Sequence, residues 1–360
     1  MKDNIRLLIV DDSKVMRDAI AEMFSYGSNI QVVGEAANGE EALKAIALYQ
    51  PDVITLDVAM PVMDGITALK HIMIKKPTPT VMLSSLTLEG ARVAFDALRY
   101  GAVDFIAKPS ALQDTDLSEQ EADIRSKIEY AAEVEVEAIK YIRSSHHNLV
   151  QDYSFVDGKP EKVVTIGTAE GGYGALLKII PHISSDMPYS YLVTMYAIRE
   201  HVDAFASYLN NISNIHVKRA AHDEVLRPGV VYLNSGLDYT TVHEQGDDYT
   251  LHVSPAPFAS RKGAIDMLMF SAADLLKEKC IGVVLSGSGI DGAEGLEEVV
   301  RMGGIAITQD QSTSLCKNMP TSAHDRANES LYVADKDIAD TIFKMYCMTN
   351  SADNSALAGL

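Results

Sequence analysis

The stretch that decides the fold of the first half of the chain is Val53-Ile-Thr-Leu-Asp-Val-Ala-Met-Pro-Val-Met-Asp-Gly65. Its branched apolar start predicts a buried strand over 53–56, and the Pro and Gly that follow predict a loop before a helix over 68–74. Similar strand–helix units lie on both sides, five in about 125 residues. This alternation predicts a doubly wound α/β domain with a five-stranded parallel sheet.

Acidic side chains stand at the ends of two of these strands. Asp11 and Asp12 follow the first strand, and Asp57 follows the third. Because the carboxyl ends of parallel strands meet at one edge, we expect the three carboxylates to crowd together and to bind a divalent cation such as Mg²⁺. Ser84 and Lys108 would then bind the oxygens of a phosphoryl group carried by Asp57. The alternative is that these acids only cap the following helices.

This constellation, over about residues 4–125, resembles the receiver domain of two-component response regulators, whose fold is flavodoxin-like. The resemblance implies phosphorylation on Asp57, with a sensor histidine kinase as the phosphodonor. The Mg²⁺ ligands that it implies are Asp11, Asp12, Asp57 and the backbone carbonyl of Ala59. The residues that it implies for phosphate sensing and the conformational switch are Ser84, Lys108 and Phe105. We place the boundaries of this domain at residues 1–125.

The charge of the chain is strongly negative, with 50 acidic against 31 basic residues and a formal net charge of −19. Such a balance argues against a nucleic-acid partner, because phosphates would be repelled. Nine acids and only two bases lie between residues 114 and 137, where apolar positions recur at helical spacing. We therefore predict an acidic helical linker over residues 126–160, with a polar connection at its end.

The second half of the chain returns to alternating strands and helices and predicts a second doubly wound α/β domain over residues 161–348. Residues 230–233 and 249–253 bracket turn residues and predict a β-hairpin insertion. Glycine-rich turns at 167–172 and 286–292 indicate nucleotide binding only weakly, since neither has a GxGxxG pattern or a P-loop lysine. The small, polar residues 349–360 are predicted to form a disordered tail.

The order of these segments resembles the catalytic domain of the chemotaxis protein-glutamate methylesterases, the CheB family. The resemblance rests on the segments Arg227–Leu233 and Gly303–Asp310, on Met319-Pro320, and on the receiver that precedes this domain. It implies a Ser-His-Asp triad that hydrolyses a glutamyl methyl ester. It also implies chemoreceptors or chemotaxis adaptors as partners.

The triad that the resemblance implies is degenerate in this sequence. Ala169 occupies the serine position in Gly-Thr-Ala-Glu-Gly-Gly, Tyr196 occupies the histidine position, and only Asp291 keeps the family's residue. Alanine has no nucleophilic atom, and a tyrosine with a pKa near ~10 is a poor base at neutral pH. Glu170 adds a negative charge beside any oxyanion. Asp291 itself has a simpler explanation as a cap of the helix that follows it.

Three functional hypotheses follow. The first is a phosphorylation-controlled signalling protein whose methylesterase-like output domain is catalytically inactive and acts by protein interaction. The second is an active protein-glutamate methylesterase or glutamine deamidase, which would need an unusual triad such as Thr168, His201 and Asp291. The third is an output domain that senses a small molecule in a pocket framed by the glycine turns.

The remaining sequence features concern localisation. The three cysteines are far apart and have no CxxC spacing, which argues against a zinc ribbon or a disulfide scaffold and fits a reducing compartment. The start of the chain has no apolar signal core, and no apolar run approaches the ~18 residues of a membrane span. We therefore expect a cytoplasmic protein with no membrane insertion.

Overall fold

The computed structural model describes residues 4–25, 28–84, 88–108, 117–134, 136, 158–256 and 263–357. The chain divides into two compact units, Met1–His146 and His147–Leu360. The described part of each unit is built on a parallel sheet with intervening helices, which confirms the predicted fold class.

The first unit contains one five-stranded parallel sheet in the order β2-β1-β3-β4-β5. Its strands are β1 (Ile5–Val10), β2 (Ile30–Ala36), β3 (Val53–Asp57), β4 (Thr80–Ser84) and β5 (Asp104–Ala107). Its helices are α1 (Lys14–Met23), α2 (Gly39–Tyr49), α3 (Gly65–Lys75), α4 (Leu88–Arg99) and α5 (Leu117–Ala131). The strand order reverses between β1 and β3, and α/β sheets of this kind place their ligand site at that switch point.

The loop from β3 to α3 shows how the local sequence places the end of β3. The whole of β3 is buried, as its run of branched residues predicts. The carboxylate of Asp64 accepts a hydrogen bond from the N–H of Thr67 at 2.8 Å and so caps α3. A Cβ placed on Gly65 would lie 2.0 Å from the carbonyl oxygen of Asp57, so only glycine lets α3 start this close to the strand.

The acidic helix differs from its prediction. It runs from Leu117 to Ala131, and its apolar residues Ile124 and Ile128 are buried in the core of the first unit. The side chain of Arg125 also binds this unit, with a 2.9 Å hydrogen bond to the carbonyl of Met23. The helix is therefore the last helix of the first domain, because its apolar stripe has a sheet to cover. The rest of the predicted linker lies largely outside the described residues.

The second unit contains a seven-stranded sheet in the order β15-β14-β13-β6-β7-β10-β8 and a three-stranded sheet in the order β11-β12-β9. The strands of the large sheet are β6 (Lys162–Thr168), β7 (Tyr189–Met195), β8 (His216–Arg219), β10 (Val230–Ser235), β13 (Cys280–Val284), β14 (Ile305–Gln309) and β15 (Leu331–Val333). The strands of the small sheet are β9 (Glu224–Val225), β11 (Asp238–Gln245) and β12 (Asp248–Pro255). The helices are α6 (Gly172–Ile179), α7 (Arg199–Ile212), α8 (Ala264–Leu276), α9 (Ala293–Arg301), α10 (Asn318–Arg326) and α11 (Ile338–Leu357).

The predicted hairpin is present, but its first strand is β11 and not residues 230–233. Residues 230–233 belong to β10, which pairs in parallel with β7 in the large sheet. The partner of β12 is β11, and the two strands are joined through the turn at Gly246. The error arose because β10 is buried throughout and is indistinguishable by composition from a hairpin strand.

The end of the chain also differs from its prediction. The backbone of α11 is helical to Leu357, so most of the segment predicted as a disordered tail continues this helix. None of the helices in the described part of the chain combines the length and the apolarity that a bilayer crossing requires.

Candidate functional site

The carboxylates predicted to meet at the edge of the first sheet do so. Asp11 directly follows β1, and Asp57 ends the adjacent β3. Both residues are buried, whereas Asp12 is exposed. One carboxylate oxygen from each of the three lies within 4.8 Å of the others. The parallel topology therefore assembles an acidic pocket at the switch point, as the strand-end rule predicts.

Lys108 lies at the centre of this pocket. Its Nζ is 2.9 Å from Oδ2 of Asp11 and 2.9 Å from Oδ1 of Asp57. Burial by itself lowers the pKa of Lys108, because it disfavours the charged form. The interactions with Asp11 and Asp57 together have a larger effect, so the pKa of Lys108 is raised overall. Burial also raises the pKa of Asp57, and the bond from Lys108 opposes this shift. Asp57 is thus a desolvated carboxyl group held by a neighbouring cation.

The donor set of the pocket fits Mg²⁺. Three carboxylates face one lysine, so the cluster keeps an excess of negative charge that a divalent cation would offset. All three side chains offer oxygen, the ligand atom that Mg²⁺ prefers. Asp11 is held in place because its Oδ1 accepts the N–H of Ser13 at 2.9 Å. The N–H of Ala59 points at Oδ1 of Asp57 at 3.4 Å, which brings the Ala59 backbone beside the cluster.

The two other predicted receiver residues lie on neighbouring strands. Ser84 is the last residue of β4, the strand next to β3, and it is buried. Phe105 lies in β5 and is 5% exposed. Its ring packs edge-on against Phe95 of α4 with 5.8 Å between the centroids. Their parts in phosphate sensing and switching stay predictions.

The three residues predicted to occupy the triad positions also meet at one edge of a sheet. Ala169 follows β6, Tyr196 follows β7, and Asp291 lies in the loop after β13. The N–H of Ala169 donates to the carbonyl of Ser286 at 3.0 Å. A Cβ placed on Gly287 would lie 2.8 Å from the Cβ of Ala169, so the loop that carries Asp291 passes directly over Ala169.

The position of the expected base is filled by a phenol bonded to the expected acid. The hydroxyl of Tyr196 donates a hydrogen bond to Oδ2 of Asp291. Burial raises the pKa of Tyr196 far above its ordinary value, and the negative charge of Asp291 adds to the shift. Tyr196 therefore keeps its proton at neutral pH and cannot accept one from a nucleophile.

Asp291 does cap a helix, but not the one that follows it. Its Oδ2 accepts the N–H of Ile265 and its Oδ1 accepts the N–H of Asp266, both at 3.0 Å. These donors belong to the first turn of α8, whose own N-cap, Gly263, has no side chain. The sequence could not show this contact because α8 is 25 residues away from Asp291.

Asp266 is a site residue that the sequence analysis missed. Its Oδ1 accepts the N–H of Gly292 at 3.0 Å and that of Gly295 at 2.7 Å, at the start of α9. Asp266, in α8, therefore caps the start of α9, and Asp291, just before α9, caps the start of α8. This exchange brings the two carboxyl groups together. Burial raises the pKa of Asp266 to about 7, and the nearby charge of Asp291 contributes to the rise. No motif marks this residue; only its place in the first turn of an uncapped helix is a signal.

The hydroxyl groups of Thr168 and Ser286, which lie near Ala169, are engaged in structural bonds. Thr168 is fully buried, and its Oγ1 donates to the carbonyl of Ser286 at 2.8 Å. The hydroxyl of Ser286 donates to the carbonyl of Glu170 at 2.7 Å. The bond from Thr168 argues against the alternative triad based on this residue, because its hydroxyl faces the backbone beneath the turn.

Glu170 places a negative charge beside Ala169. Its Oε2 accepts the N–H of Ser288 at 2.8 Å, across the two glycine turns. A backbone donor at this position would otherwise be available to a substrate oxygen. The carboxylate thus occupies this backbone donor and adds negative charge beside the position of the expected nucleophile.

The chain matches two known domain families in the order that the folds suggest. Residues 7–118 match the response regulator receiver domain, and residues 164–342 match the CheB methylesterase domain. The chain is 34% identical over 358 residues to a protein-glutamate methylesterase/protein-glutamine glutaminase of Pyrococcus abyssi, covering 97% of this chain and 96% of that protein. The chain belongs to the CheB methylesterase family. A second CheB relative, protein-glutamate methylesterase/protein-glutamine glutaminase 1 of Carboxydothermus hydrogenoformans, is 36% identical over 341 residues and covers 94% of this chain and 98% of its own.

Solved structures of CheB domains also align with the chain. The CheB methylesterase catalytic domain of Thermotoga maritima aligns at 27% identity and a TM-score of 0.49, covering 53% of this chain and 100% of that structure. The response regulator domain of Thermotoga maritima CheB aligns at 43% identity and a TM-score of 0.34, covering 37% of this chain and 98% of that structure.

Proposed function

We propose that this CheB family member is a response regulator that accepts a phosphoryl group on Asp57 from a phosphorylated sensor histidine kinase. The observation that carries the proposal is the position of Lys108, 2.9 Å from both Asp57 and Asp11. An oxygen of Asp57 attacks phosphorus, the P–N bond to the kinase imidazole breaks, and the imidazole leaves with the bonding electron pair. Lys108 is then free to bind a phosphoryl oxygen.

Mg²⁺ would be held in this pocket by Asp11, Asp12, Asp57 and the carbonyl of Ala59. When bound, it supplies positive charge that offsets the negative charge of the phosphoryl oxygens. Asp57 itself is positioned by the end of β3 and by Lys108, which orient its Oδ1 toward the pocket. The hydroxyl of Ser84, on the neighbouring strand, would donate to another phosphoryl oxygen.

We further propose that the CheB-type domain of this chain does not hydrolyse esters through a Ser-His-Asp triad. Ala169 supplies no nucleophile, and Tyr196 keeps its proton and donates a hydrogen bond to Asp291. The domain would then act through its surface, with phosphorylation changing its affinity for chemoreceptors or chemotaxis adaptors.

The second candidate function is an active protein-glutamate methylesterase or protein-glutamine glutaminase. The names of the relatives at about 35% identity over most of the chain favour it. It would need a nucleophile other than residue 169, and the hydroxyls of Thr168 and Ser286 are bonded to backbone carbonyls. The names of the relatives therefore favour an active enzyme, whereas the geometry favours an inactive domain. An activity measurement distinguishes the two candidate functions.

The first experiment tests the receiver. The full chain is incubated with a small-molecule phosphodonor and Mg²⁺, and the acyl phosphate is measured by mobility shift and by its lability to hydroxylamine. We expect one phosphoryl group on the wild-type chain, none on Asp57→Asn, and normal labelling of Asp18→Asn, an exposed acid on α1. Labelling that persists in Asp57→Asn would refute the receiver assignment.

The second experiment tests the output domain. Methanol release from methylated chemoreceptor is compared for the phosphorylated wild-type chain, the Asp291→Ala variant and a catalytically competent CheB protein. We expect the first two to match the rate without protein. Release by the wild-type chain that disappears in Asp291→Ala would establish the second candidate instead.

A further inference from the structure

A cluster of histidines lies on the small three-stranded sheet of the second unit, away from the degenerate triad. The ring of His252 in β12 is 4.5 Å from that of His222, which precedes β9, and 4.6 Å from that of His243 in β11. Asp223 completes the group, and its side chain and those of His222 and His252 are at least half exposed. The function proposed above uses none of these residues.

The distances within this group match the edges of a metal coordination shell. Oδ1 of Asp223 is 3.1 Å from Nε2 of His252 and 3.5 Å from Nε2 of His222. Ligands bound at ~2.0–2.1 Å around a tetrahedral ion are separated from one another by about 3.3 Å. All three ligand atoms lie within 4.8 Å of one another, so a single ion can reach them with small side-chain movements.

The surrounding backbone holds two of these side chains in place. Nδ1 of His222 lies 3.0 Å from the carbonyl of Val253 and 3.2 Å from its backbone N, and these two contacts fix the orientation of the ring. In the tautomer that donates from Nδ1 to the carbonyl, the lone pair of Nε2 is left for a ligand. Asp223 has a φ of +58°, a left-handed conformation that aspartate tolerates better than most residues. Its N–H donates to the carbonyl of Leu251 at 2.8 Å, which ties the turn to β12.

We propose that His222, Asp223 and His252 form a binding site for a first-row divalent transition metal of the Zn²⁺ type. The site has two imidazole ligands and one carboxylate, with the fourth position open to water or to a partner's side chain. Its nitrogen ligands separate it chemically from the all-oxygen pocket of the receiver, which suits Mg²⁺. The bound metal would crosslink the turn before β9, which carries His222 and Asp223, to His252 in β12.

The test uses the full chain, stripped with EDTA and kept in excess Mg²⁺ so that the receiver carboxylates do not compete for the probe. Zn²⁺ is titrated by calorimetry, and Co²⁺ is titrated by visible absorption. We expect one equivalent of Zn²⁺ and an intense visible Co²⁺ spectrum of the tetrahedral type. Loss of a ligand in His252→Ala or Asp223→Asn should weaken binding by at least ~10-fold.

The controls separate a built site from general histidine affinity. Asn tolerates the left-handed conformation, so Asp223→Asn removes the charge without disturbing the turn. His182→Ala removes an exposed histidine elsewhere in the same unit and should leave binding unchanged. Circular dichroism checks that each variant is folded. The proposal is overturned if the wild-type chain binds no Zn²⁺ in excess Mg²⁺, or if a folded His222→Ala/His252→Ala variant binds it as tightly.

Discussion

The phenol of Tyr196 donates a hydrogen bond to the carboxylate of Asp291, and the same carboxylate caps the first turn of α8. In the catalytic triad that the family resemblance implies, these two positions would hold the base and the acid that orients it. Here they form a structural bond across 95 residues of sequence. The bond joins the end of β7 to the loop after β13. These two strands lie on either side of β6, the strand that Ala169 follows.

We expect Tyr196→Phe to destabilise the second unit. The change leaves Oδ2 of Asp291 with the N–H of Ile265 as its remaining donor, and losing a hydrogen bond to a charged group costs about 1–3 kcal/mol. Urea unfolding of the full chain, followed by near-UV circular dichroism, measures the difference. Tyr332→Phe is the control, because its hydroxyl has only a 3.4 Å contact with the exposed side chain of Gln311 and should change the stability by less than about 0.5 kcal/mol. Equal effects of the two changes would contradict a structural role for the Tyr196 bond.

Ester hydrolysis should appear only when the nucleophile and the base are restored together. Ala169→Ser alone supplies a hydroxyl, but the protonated Tyr196 cannot accept its proton. Adding Tyr196→His supplies a base beside Asp291, and general-base catalysis contributes roughly 10²–10⁴-fold. We therefore expect methanol release by the double variant to exceed that of the single variant by at least roughly 10²-fold.

A third change completes that series. Glu170→Thr removes the carboxylate that occupies the N–H of Ser288 and should raise the activity of the double variant further. If Ala169→Ser alone is as active as the double variant, then Tyr196 does not limit catalysis.

The stability of the second unit should depend on pH through Asp266. Its pKa is raised to about 7 in the folded chain, above the ordinary unfolded value of ~3.9, so the folded state binds the extra proton between these two values. The stabilisation is complete below about pH 4 and is lost as the pH rises through about 7. In Asp266→Asn, the side-chain oxygen still accepts the N–H groups of Gly292 and Gly295 but does not titrate.

We expect the unfolding free energy of the wild-type chain to fall, relative to Asp266→Asn, by on the order of 2 kcal/mol between pH 4 and pH 8. This figure is well below the full shift, because Asp266 is partly exposed. Denaturant unfolding at four pH values measures the difference. Asp274→Asn, a largely exposed change on the same helix, should follow the wild-type profile. Parallel profiles for wild type and Asp266→Asn would show that Asp266 does not hold the proton.

Gly65→Ala should unfold or strongly distort the acidic pocket around Asp57. The added Cβ would meet the carbonyl oxygen of Asp57 at 2.0 Å, and this backbone atom cannot move without shifting the end of β3. We expect a loss of more than about 2 kcal/mol in the stability of the receiver and a failure to accept phosphoryl groups. Gly174→Ala adds the same atom in open space on α6 and should be neutral or stabilise by up to about 1 kcal/mol. Normal phosphorylation of Gly65→Ala would contradict this account of the turn.

The local residue pattern is sufficient to predict the strands of the receiver, but it is insufficient to assign the last helix to this domain. The strands of the first sheet are short apolar runs that end in polar residues, so their order and the meeting of Asp11, Asp12 and Asp57 follow from general rules for parallel sheets. The acidic helix has a weak apolar stripe and many charges, and such a pattern does not reveal whether the stripe covers a core. Burial of Ile124 and Ile128 against the sheet decides that it belongs to the first unit.

By itself, the sequence determined the two α/β folds and the acidic pocket around Asp57, because each depends on residue type and short-range spacing. The replacement of two triad side chains stays a prediction from the sequence. Only the tertiary structure decided that Tyr196, Asp291 and Asp266 form one bonded group, and that His222, Asp223 and His252 share a face. These groups join separate elements of the chain. Their hydrogen bonds, and the raised pKa values of Tyr196 and Asp266, depend on through-space distance and burial, which residue order does not encode.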